Sequence, residues 1–298
     1  MSDPKPTPQQ RVLQVMPDLR ISSLRAGDDG LVNDVLIVNE ELVFRFARDD
    51  AGRRSLEREA GLLAFVRPRV SLPTPEVVQQ QQGCLVYRFI PGVPLDRQRL
   101  LAQDVHTQRT LLEQLGTFLD QLHSLPGESV TGPVNESSGM RKQYEQLYES
   151  IERELLPSMM VWARDWVRKL FRPALDGSLD LTYAPVVIHG DLAPYHLCFD
   201  PATRRLSGVI DFGNAGPGDP ALDLGSVILA FGESLLRQME SVYPVVSGRL
   251  DRARFHAATL ELVWALAAVR SRDPAWFLCH LGYARDAWPV GWRTNVQR

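Results

Sequence analysis

Two short motifs and a histidine between them constrain the fold of this chain more than any other feature. A His-Gly-Asp sequence occupies residues 189–191, and an Asp-Phe-Gly sequence occupies residues 211–213. His196 lies five positions after Asp191, and Asp211 lies twenty positions after it. A fold for this chain must account for both the order and the spacing of these residues.

The apolar runs around the motifs predict how they come together. Residues 182–188 and 206–210 each read as a strand ending near a motif, and residues 198–203 read as a short strand and a turn. We expect this strand, hairpin and strand to place Asp191 and Asp211 at one end of a small sheet. Two converging carboxylates suit a site for magnesium and a triphosphate, whereas the alternative is two ordinary turn aspartates.

The motifs resemble the protein-kinase signature in order and spacing. In that signature the first aspartate accepts the proton of the substrate hydroxyl. An asparagine five residues later holds one Mg2+, and the aspartate of Asp-Phe-Gly holds another. His196 stands in the place of the asparagine. The alternative for His196 is a core histidine that is hydrogen-bonded to the backbone.

Composition indicates a globular chain with a small-molecule partner. The 298 residues are 44% hydrophobic, enough for one large core or two modest ones. A net charge of −3 without a block of like charge does not favour nucleic acid or an anionic membrane. We expect a cytoplasmic location, because the sequence lacks a long apolar run and a signal-peptide pattern. Cys84, Cys198 and Cys279 form no CxxC pair and are predicted to be reduced packing residues.

The first part of the chain predicts an antiparallel sheet with one helix. We expect residues 1–90 to form an N-terminal nucleotide-binding lobe, with residues 1–10 as a mobile tail and the glutamine run at 79–82 as a surface turn. Pro91-Gly92 marks the predicted boundary. Strand patterns occupy residues 20–25, 31–38, 41–47 and 84–90, with a helical pattern at 55–66.

Helical patterns dominate the remainder of the chain. Residues 91–298 are predicted to form a C-terminal lobe for catalysis and acceptor binding. Apolar faces with helical spacing lie at 111–122 and 144–155, and the pattern from Ala221 onward is again helical.

One candidate cation lies in the predicted sheet. A kinase needs a positive charge near the α and β phosphates, and the signature supplies a strand lysine paired to a helix glutamate. Arg45 occupies the position of that lysine, and Glu59 is the matching acid. Arginine keeps its charge and can bind phosphate with two hydrogen bonds. The alternative for Arg45 is a solvated strand residue.

Two further features of this lobe are candidates for nucleotide contacts. The turn from Gly27 to Gly30 has the position of a phosphate lid, but it is not GxGxxG, and the alternative is a plain hairpin turn. The segment with Tyr87, Phe89 and Ile90 is expected to form a hinge whose backbone reads the purine edge. Backbone recognition leaves both ATP and GTP open as donors.

Six segments together resemble the aminoglycoside phosphotransferase family. The resemblance implies an α+β, protein-kinase-like two-lobed fold, with an antiparallel sheet lobe that carries one helix and a larger, mainly helical C-terminal lobe. Residues 191–197, the Ile-Asp-Phe-Gly form and residues 270–276 are most similar to aminoglycoside 2''-phosphotransferases, and macrolide kinases also carry the histidine. The six segments are residues 43–48, 58–63, 89–95, 187–192, 208–213 and 218–224.

The family resemblance implies a role for each motif residue. Asp191 is implied as the catalytic base or hydroxyl-orienting group, and His196 and Asp211 as ligands of Mg2+. Arg45 would contact the phosphates of ATP or GTP, and Glu59 would orient it. The implied activity is phosphoryl transfer to a small-molecule hydroxyl, with an aminoglycoside antibiotic as the expected acceptor and resistance as the outcome.

The acceptor is the least constrained part of the prediction. Aminoglycosides are polycations, so Asp219, Glu233 and Glu261 are candidates for substrate contacts, with solvated helix charges as the alternative. The apolar run at 227–231 departs from the acidic helix of the 2''-phosphotransferases. A macrolide, natural-product or metabolite kinase is therefore a rival interpretation. A nucleotide-binding pseudokinase is another, favoured by the irregular glycine turn, Arg45 and His196.

Overall fold

The structure has a small sheet lobe followed by a larger lobe that is mainly helical, which confirms the predicted α+β fold. This computed structural model describes residues 6–27, 33–131 and 137–271. Gly30, Cys279 and most of the segment 270–276, on which predictions were made, lie outside the described residues.

The sheet lobe is an antiparallel sheet of five strands with the order β1-β2-β3-β5-β4. Helix α2 packs on one face of the sheet and helix α1 on the other, because their apolar residues contact opposite sides of the strands. The elements are α1 at Pro8–Val15, β1 at Leu24–Ala26, β2 at Asn33–Val38, β3 at Leu42–Ala47, α2 at Asp50–Val66, β4 at Val77–Gln81 and β5 at Cys84–Arg88.

Two predictions for this lobe are wrong. The chain turns helical at Pro8 instead of remaining a tail through residue 10, because Thr7 forms a capping box with Gln10 and Val12 is fully buried against the sheet. The glutamine run forms part of β4 instead of a turn. Its polar side chains are tolerated there because the strand lies at the sheet edge, where Gln79 and Gln81 donate hydrogen bonds to the carbonyl of Val15.

The helical lobe begins just after the last strand of the sheet. Its first strand, β6 at Val93–Pro94, pairs with a strand more than 100 residues later in the chain. The helices are α3 at Arg97–Leu101, α4 at Val105–His123, α5 at Ser137–Ser150, α6 at Val161–Asp176, α7 at Pro220–Phe231, α8 at Glu233–Arg237 and α9 at Val246–Ser271. A π-helical turn at Ile151–Leu155 follows α5.

Two small sheets in this lobe carry the motifs, and they correct the predicted hairpin arrangement. Strand β7 at Val186–Ile188 pairs with β10 at Gly216–Gly218, whereas β8 at Leu197–Asp200 pairs with β9 at Arg205–Val209 and with β6. The strands that precede Asp191 and Asp211 therefore belong to different sheets. Hydrogen bonding between paired strands of one sheet therefore does not bring the two aspartates together, and side-chain contacts must do so.

Within the described residues, no helix combines the length and the hydropathy needed to cross a membrane. Cys84 and Cys198 are buried and unpaired, as expected of packing residues.

The close approach of α7 and α9 depends on a glycine. A Cβ atom added to Gly225 would lie 2.9 Å from the carbonyl oxygen of Ala253 and 3.0 Å from the amide nitrogen of Ala257. Backbone atoms cannot yield as a flexible side chain does, so any larger residue must push the helices apart.

We predict that Gly225→Ala destabilises the protein by about 1–3 kcal/mol through this overpacking. The matched control is Gly61→Ala on α2, where an added Cβ has no neighbour within 4 Å. That change removes a glycine from an exposed helix position and should stabilise by up to about 1 kcal/mol. Denaturant unfolding of both variants measures the difference, and equal effects would contradict the close-packing argument.

Candidate active site

The loop that carries Asp191 turns at a glycine that no other residue can replace without strain. Gly190 has a φ of +77°, and an added Cβ would lie 2.6 Å from the carbonyl oxygen of Asn214. The side-chain amide of Asn214 in turn donates a hydrogen bond of 3.4 Å to the carboxylate of Asp191. The loop is thus pressed against the segment that follows Asp211.

His189 supplies the link between the two motifs. Its Nε2 lies 3.0 Å from the carbonyl oxygen of Ile210, which can only accept, so Nε2 carries a hydrogen. Its Nδ1 then accepts a hydrogen bond of 3.3 Å from the amide of Asp191. Burial lowers the pKa of His189, which favours this neutral form. One imidazole therefore ties the backbone of Asp191 to the residue before Asp211.

A buried carboxylate holds this loop from below. Asp223, on α7, accepts hydrogen bonds of 2.8 Å from the backbone amides of both His189 and Gly190. His123 Nε2 adds a third at 3.0 Å, and the hydroxyl of Tyr243 lies 2.6 Å from Nδ1 of the same ring. Burial alone would raise the pKa of Asp223, but these donors, above all His123, hold it below its usual value. Asp223 thus fixes the loop as a carboxylate.

His196 lies between the two aspartates. Its Nδ1 is 2.7 Å from the carbonyl oxygen of Asp191, so Nδ1 donates, and its Nε2 faces a carboxylate oxygen of Asp211 at 3.4 Å. Burial lowers the pKa of His196, but the hydrogen bond and charge of Asp211 outweigh it, so the pKa is raised. With a proton on Nε2 the contact is an ion pair. Without that proton, a lone pair of Nε2 faces a carboxylate oxygen of Asp211, an arrangement that a bound cation can satisfy.

Asp211 has a strained backbone conformation and lies on the solvent-exposed side of His196. Its φ of +64° is left-handed, which is uncommon for a residue other than glycine. Its side chain is 42% exposed, and it also contacts Arg45 at 3.2 Å. Burial would raise the pKa of Asp211, but the hydrogen bond to His196 and the charge of Arg45 hold it far below its usual range. The group is a carboxylate at neutral pH.

The predicted pairing of Arg45 with Glu59 is confirmed. Arg45 Nη1 donates to both carboxylate oxygens of Glu59, at 2.6 and 2.9 Å, and both side chains are buried. Burial raises the pKa of Glu59 to about 7, and the charge of Arg45 opposes this increase. Gly213 leaves room beside this pair, since an added Cβ would lie 3.4 Å from Arg45 and 3.3 Å from Asp211. Arg45 is not the solvated strand residue of the alternative interpretation.

The residues around Asp211 fit a hard divalent cation. The carboxylate of Asp211 and Nε2 of His196 converge within 3.4 Å, and the other ring nitrogen is fixed by a backbone carbonyl, as is typical of metal-binding histidines. Among the described residues no group of three or more His, Cys, Asp or Glu forms a complete metal cage. Mg2+ suits such an incomplete set, because it binds one or two protein ligands together with phosphate oxygens and water.

The predicted hinge residues are largely committed to the sheet. Tyr87 lies within β5 opposite Val43, and its ring is buried. The amide of Phe89 donates to the carbonyl of Glu41 at 2.8 Å. Ile90 follows these residues and packs close to Gly208. Contact of this segment with a purine stays a prediction.

The three acids proposed for the acceptor do not converge on Asp191 as open charges. Asp219 is the N-cap of α7 and is bound by Arg252 at 2.9 Å, while Glu233 is bound by Arg254. Glu261 is buried within α9, where burial raises its pKa to about 7. Their contact with an acceptor stays a prediction.

Sequence reasoning missed the partners that hold these groups. Asn214 lies three positions after Asp211, but it belongs to neither motif. His123 and Tyr243 are far from the motifs in sequence, and only their burial beside Asp223 reveals them. Arg252 has no local signal, because an arginine on a helix is ordinarily a solvated charge.

Comparisons of the sequence with known proteins find relatives over most of the chain. A model of the phosphotransferase enzyme family matches residues 23–256. The chain is 28% identical to viomycin phosphotransferase of Streptomyces vinaceus over 283 residues, which cover 88% of this chain and 96% of that protein. It is 29% identical to streptomycin 3''-kinase of Streptomyces griseus over 197 residues, which cover 61% and 66% of the two chains.

Solved structures share the fold over nearly the whole chain. An aminoglycoside 2''-phosphotransferase in complex with GDP and kanamycin superimposes with a TM-score of 0.82 at 25% identity, covering 92% of this chain and 95% of that one. A macrolide 2'-phosphotransferase of type I superimposes with a TM-score of 0.71 at 21% identity, covering 95% and 98%, which shows the fold alone.

The resemblance predicted from the motifs is confirmed. Arg45, Asp191, His196, Asp211 and Asp223 all lie within the matched residues, so the site and the family model describe the same part of the molecule. The chain belongs to the phosphotransferase enzyme family.

Proposed function

We propose that this protein transfers the terminal phosphoryl group of a nucleoside triphosphate to a hydroxyl group of a small-molecule antibiotic. The observation that carries the proposal is the position of His196, which holds the backbone of Asp191 with one ring nitrogen and faces Asp211 with the other. A hydroxyl-orienting carboxylate and a cation-binding carboxylate are thereby kept in one site, as phosphoryl transfer requires.

Asp191 orients the attacking hydroxyl. Among the described residues, its carboxylate receives one long hydrogen bond, from Asn214, so it can accept another from an acceptor hydroxyl and take its proton late in the transfer. The brace from Asp223 and the link through His189 keep this carboxylate in position. Positioning of this kind supplies much of the rate enhancement in a reaction with a loose transition state.

Asp211 and His196 would hold Mg2+ on the side of the nucleotide. When bound, Mg2+ neutralises phosphate charge and orients the terminal phosphoryl group. Asp211 contributes a carboxylate oxygen, and His196 contributes Nε2 in its neutral form because Nδ1 keeps its hydrogen on the carbonyl of Asp191.

Arg45 is the proposed cation for the phosphates. Glu59 holds one end of its guanidinium, while the other end is 3.2 Å from Asp211. Asp211 is also the proposed ligand of the cation. When its carboxylate binds the cation instead of Arg45, Nη2 of Arg45 is released for a phosphate oxygen. The ion pair with Glu59 keeps the guanidinium in place throughout.

The names of relatives support an antibiotic as acceptor without selecting a class. They include viomycin, streptomycin and aminoglycoside phosphotransferases, and the structural neighbours include macrolide 2'-phosphotransferases. An aminoglycoside, as predicted from the motifs, and a macrolide are both candidates. GDP and ATP in the complexes of the neighbours support a nucleotide as the donor.

Replacing Asp191 tests the proposed reaction. We expect Asp191→Asn to lower kcat by about 100-fold or more, because the amide cannot accept the proton of the hydroxyl. Nucleotide consumption and the mass of the phosphorylated product should be measured with ATP and GTP against aminoglycosides, viomycin and macrolides. Thermal unfolding of the variant serves as the folding control. Full turnover by a folded variant would refute the assignment.

Two substitutions of His196 test the cation site. Asparagine offers the oxygen ligand that Mg2+ prefers, whereas alanine offers none. We therefore expect His196→Ala to raise the Mg2+ concentration for half-maximal rate by about 10-fold or more, and His196→Asn to raise it less. Mg2+-dependent binding of a fluorescent nucleotide gives a readout independent of turnover. The same Mg2+ dependence in all three proteins would exclude His196 as a ligand.

Because Asp223 holds the loop that carries Asp191, replacing it should lower both the stability of the protein and the rate of phosphoryl transfer. Asp223→Asn keeps the shape but places an amide donor where backbone amides already donate, which should cost about 2–4 kcal/mol. Because the loop moves with it, kcat should fall more than KM rises. The control is Asp251→Asn, whose exposed ion pair with Arg254 is worth at most about 1 kcal/mol. Indistinguishable denaturation curves and rates for the two variants would contradict the brace.

A further inference from the structure

A cavity of about 170 Å3 lies between α5, the N-terminal end of α7 and α9. Its apolar wall consists of Met140, Leu147 and Leu222, and its polar wall of Gln143, Tyr144, Asp219 and His256. The cavity lies outside the group formed by Asp191, His196 and Asp211, so the proposed chemistry leaves it unexplained.

The polar wall is a chain of buried hydrogen bonds. His256 Nε2 is 3.2 Å from the carboxylate of Asp219, which only accepts, so Nε2 carries a hydrogen. In the neutral ring, Nδ1 then accepts a hydrogen bond of 2.6 Å from the hydroxyl of Tyr144. The orientation of this hydroxyl is thereby fixed. The Thr259 side chain also lies within hydrogen-bonding distance of it, and a hydroxyl oxygen with two lone pairs can accept a further hydrogen bond from a ligand.

Among the described residues that line the cavity, Asp219 is the one acid, and its carboxylate is already paired with an arginine. Arg252 lies 2.9 Å from Asp219, and both side chains are nearly buried, at 13% and 2% exposure. His256 occupies the same carboxylate oxygen from another side, and the amide of Ala221 binds the other oxygen at 2.9 Å. A cationic ligand would have to compete with an arginine that is already in place.

Two other described acids of the helical lobe, Glu233 and Glu154, are also paired with arginines. Glu233 receives two hydrogen bonds of 2.7 Å from Arg254 and one of 3.0 Å from Arg237. Glu154 receives bonds of 2.7 and 3.0 Å from Arg270. Internal pairing of this kind removes the negative potential that a polycation needs for recognition.

The cavity is within reach of the proposed catalytic base. Asn214 contacts Asp191, and Asp219 follows Asn214 by five residues. Five residues span at most about 18 Å even when fully extended. A molecule of several fused or linked rings can therefore place one hydroxyl at Asp191 and another part in the cavity.

We propose that the cavity between α5, α7 and α9 selects an acceptor of low positive charge, by binding an apolar part of it with one hydrogen bond to the Tyr144 hydroxyl. The inference rests on the proposed phosphotransfer and narrows its acceptor to a class with an apolar face and at most one cationic group. Polycationic aminoglycosides are then poor ligands of this protein.

Direct binding tests the cavity independently of turnover. Erythromycin, a macrolide with a single amine, and kanamycin, a polycation, serve as probes in calorimetric titrations with Mg2+ and a non-hydrolysable nucleotide present. We expect erythromycin to bind at least 10-fold more tightly than kanamycin. Binding that is equal, or tighter for kanamycin, would overturn the proposal.

A matched pair of tyrosines tests the hydrogen bond. Tyr144→Phe removes the hydroxyl in the cavity and should weaken erythromycin binding about five-fold, as expected for one hydrogen bond. Tyr148→Phe removes a hydroxyl from the same helix, one turn later, where the ring packs against Phe171 outside the cavity lining. It should leave binding unchanged. Equal effects of the two variants would exclude Tyr144 as the contact.

Arg252→Gln tests the charge argument by a gain of binding. Removing the guanidinium leaves the Asp219 carboxylate with one charged partner fewer, so kanamycin should bind at least three-fold more tightly, and the gain should shrink as salt rises. Thermal unfolding reports whether the variant is folded. Should Arg252→Gln unfold, Arg254→Gln tests the wider charge argument, because it removes one of the two arginines on Glu233 outside the cavity lining and should also tighten kanamycin binding. No gain in a folded variant would overturn the argument.

The outcomes separate this inference from the proposed function. Phosphorylation of kanamycin in preference to erythromycin would uphold phosphotransfer and refute the selectivity. Tight erythromycin binding without phosphorylation of any acceptor would uphold the cavity and refute the phosphotransfer.

Discussion

The active centre depends on one buried carboxylate. Asp223 accepts hydrogen bonds from two consecutive backbone amides, and this fixes the loop at its tight turn, Gly190. A carboxylate without exposure to water is costly unless its oxygens are satisfied, and the third donor, His123, completes that requirement. Because His123 closes α4 and Asp223 lies on α7, the catalytic loop is anchored to the core of the helical lobe.

Hydrogen bonds from buried side chains also explain how the two motifs meet. The strands that lead to Asp191 and Asp211 lie in different sheets, so no ladder aligns them. His189 and His196 make the connection instead, each with one ring nitrogen on a backbone carbonyl. Those carbonyls fix the position of a hydrogen on each ring, and the remaining nitrogen is directed to its partner.

Local sequence predicted the motif residues well and their supports poorly. The pairing of Arg45 with Glu59 could be predicted because both positions match the kinase signature, in which a strand cation pairs with a glutamate of the following helix. The strand, hairpin and strand expected around 182–210 was wrong in topology, because short apolar runs do not state which neighbour they pair with. His123, Tyr243 and Arg252 act across 30 to 120 residues of chain, and no local pattern distinguishes them from core or surface residues.

The acids show why residue type alone misjudges a binding surface. Asp219 and Glu233 are negative in the sequence, and they are therefore candidates for contacts with a polycationic acceptor. In the folded chain arginines of α9 lie against both, so the charge that matters is that of the pair and its surroundings. Asp191 differs from them because its described partner is a neutral amide, and Asp211 differs because it stays half open to solvent. An acid that has no internal cation, or that keeps an open side, is the one left to act on a ligand.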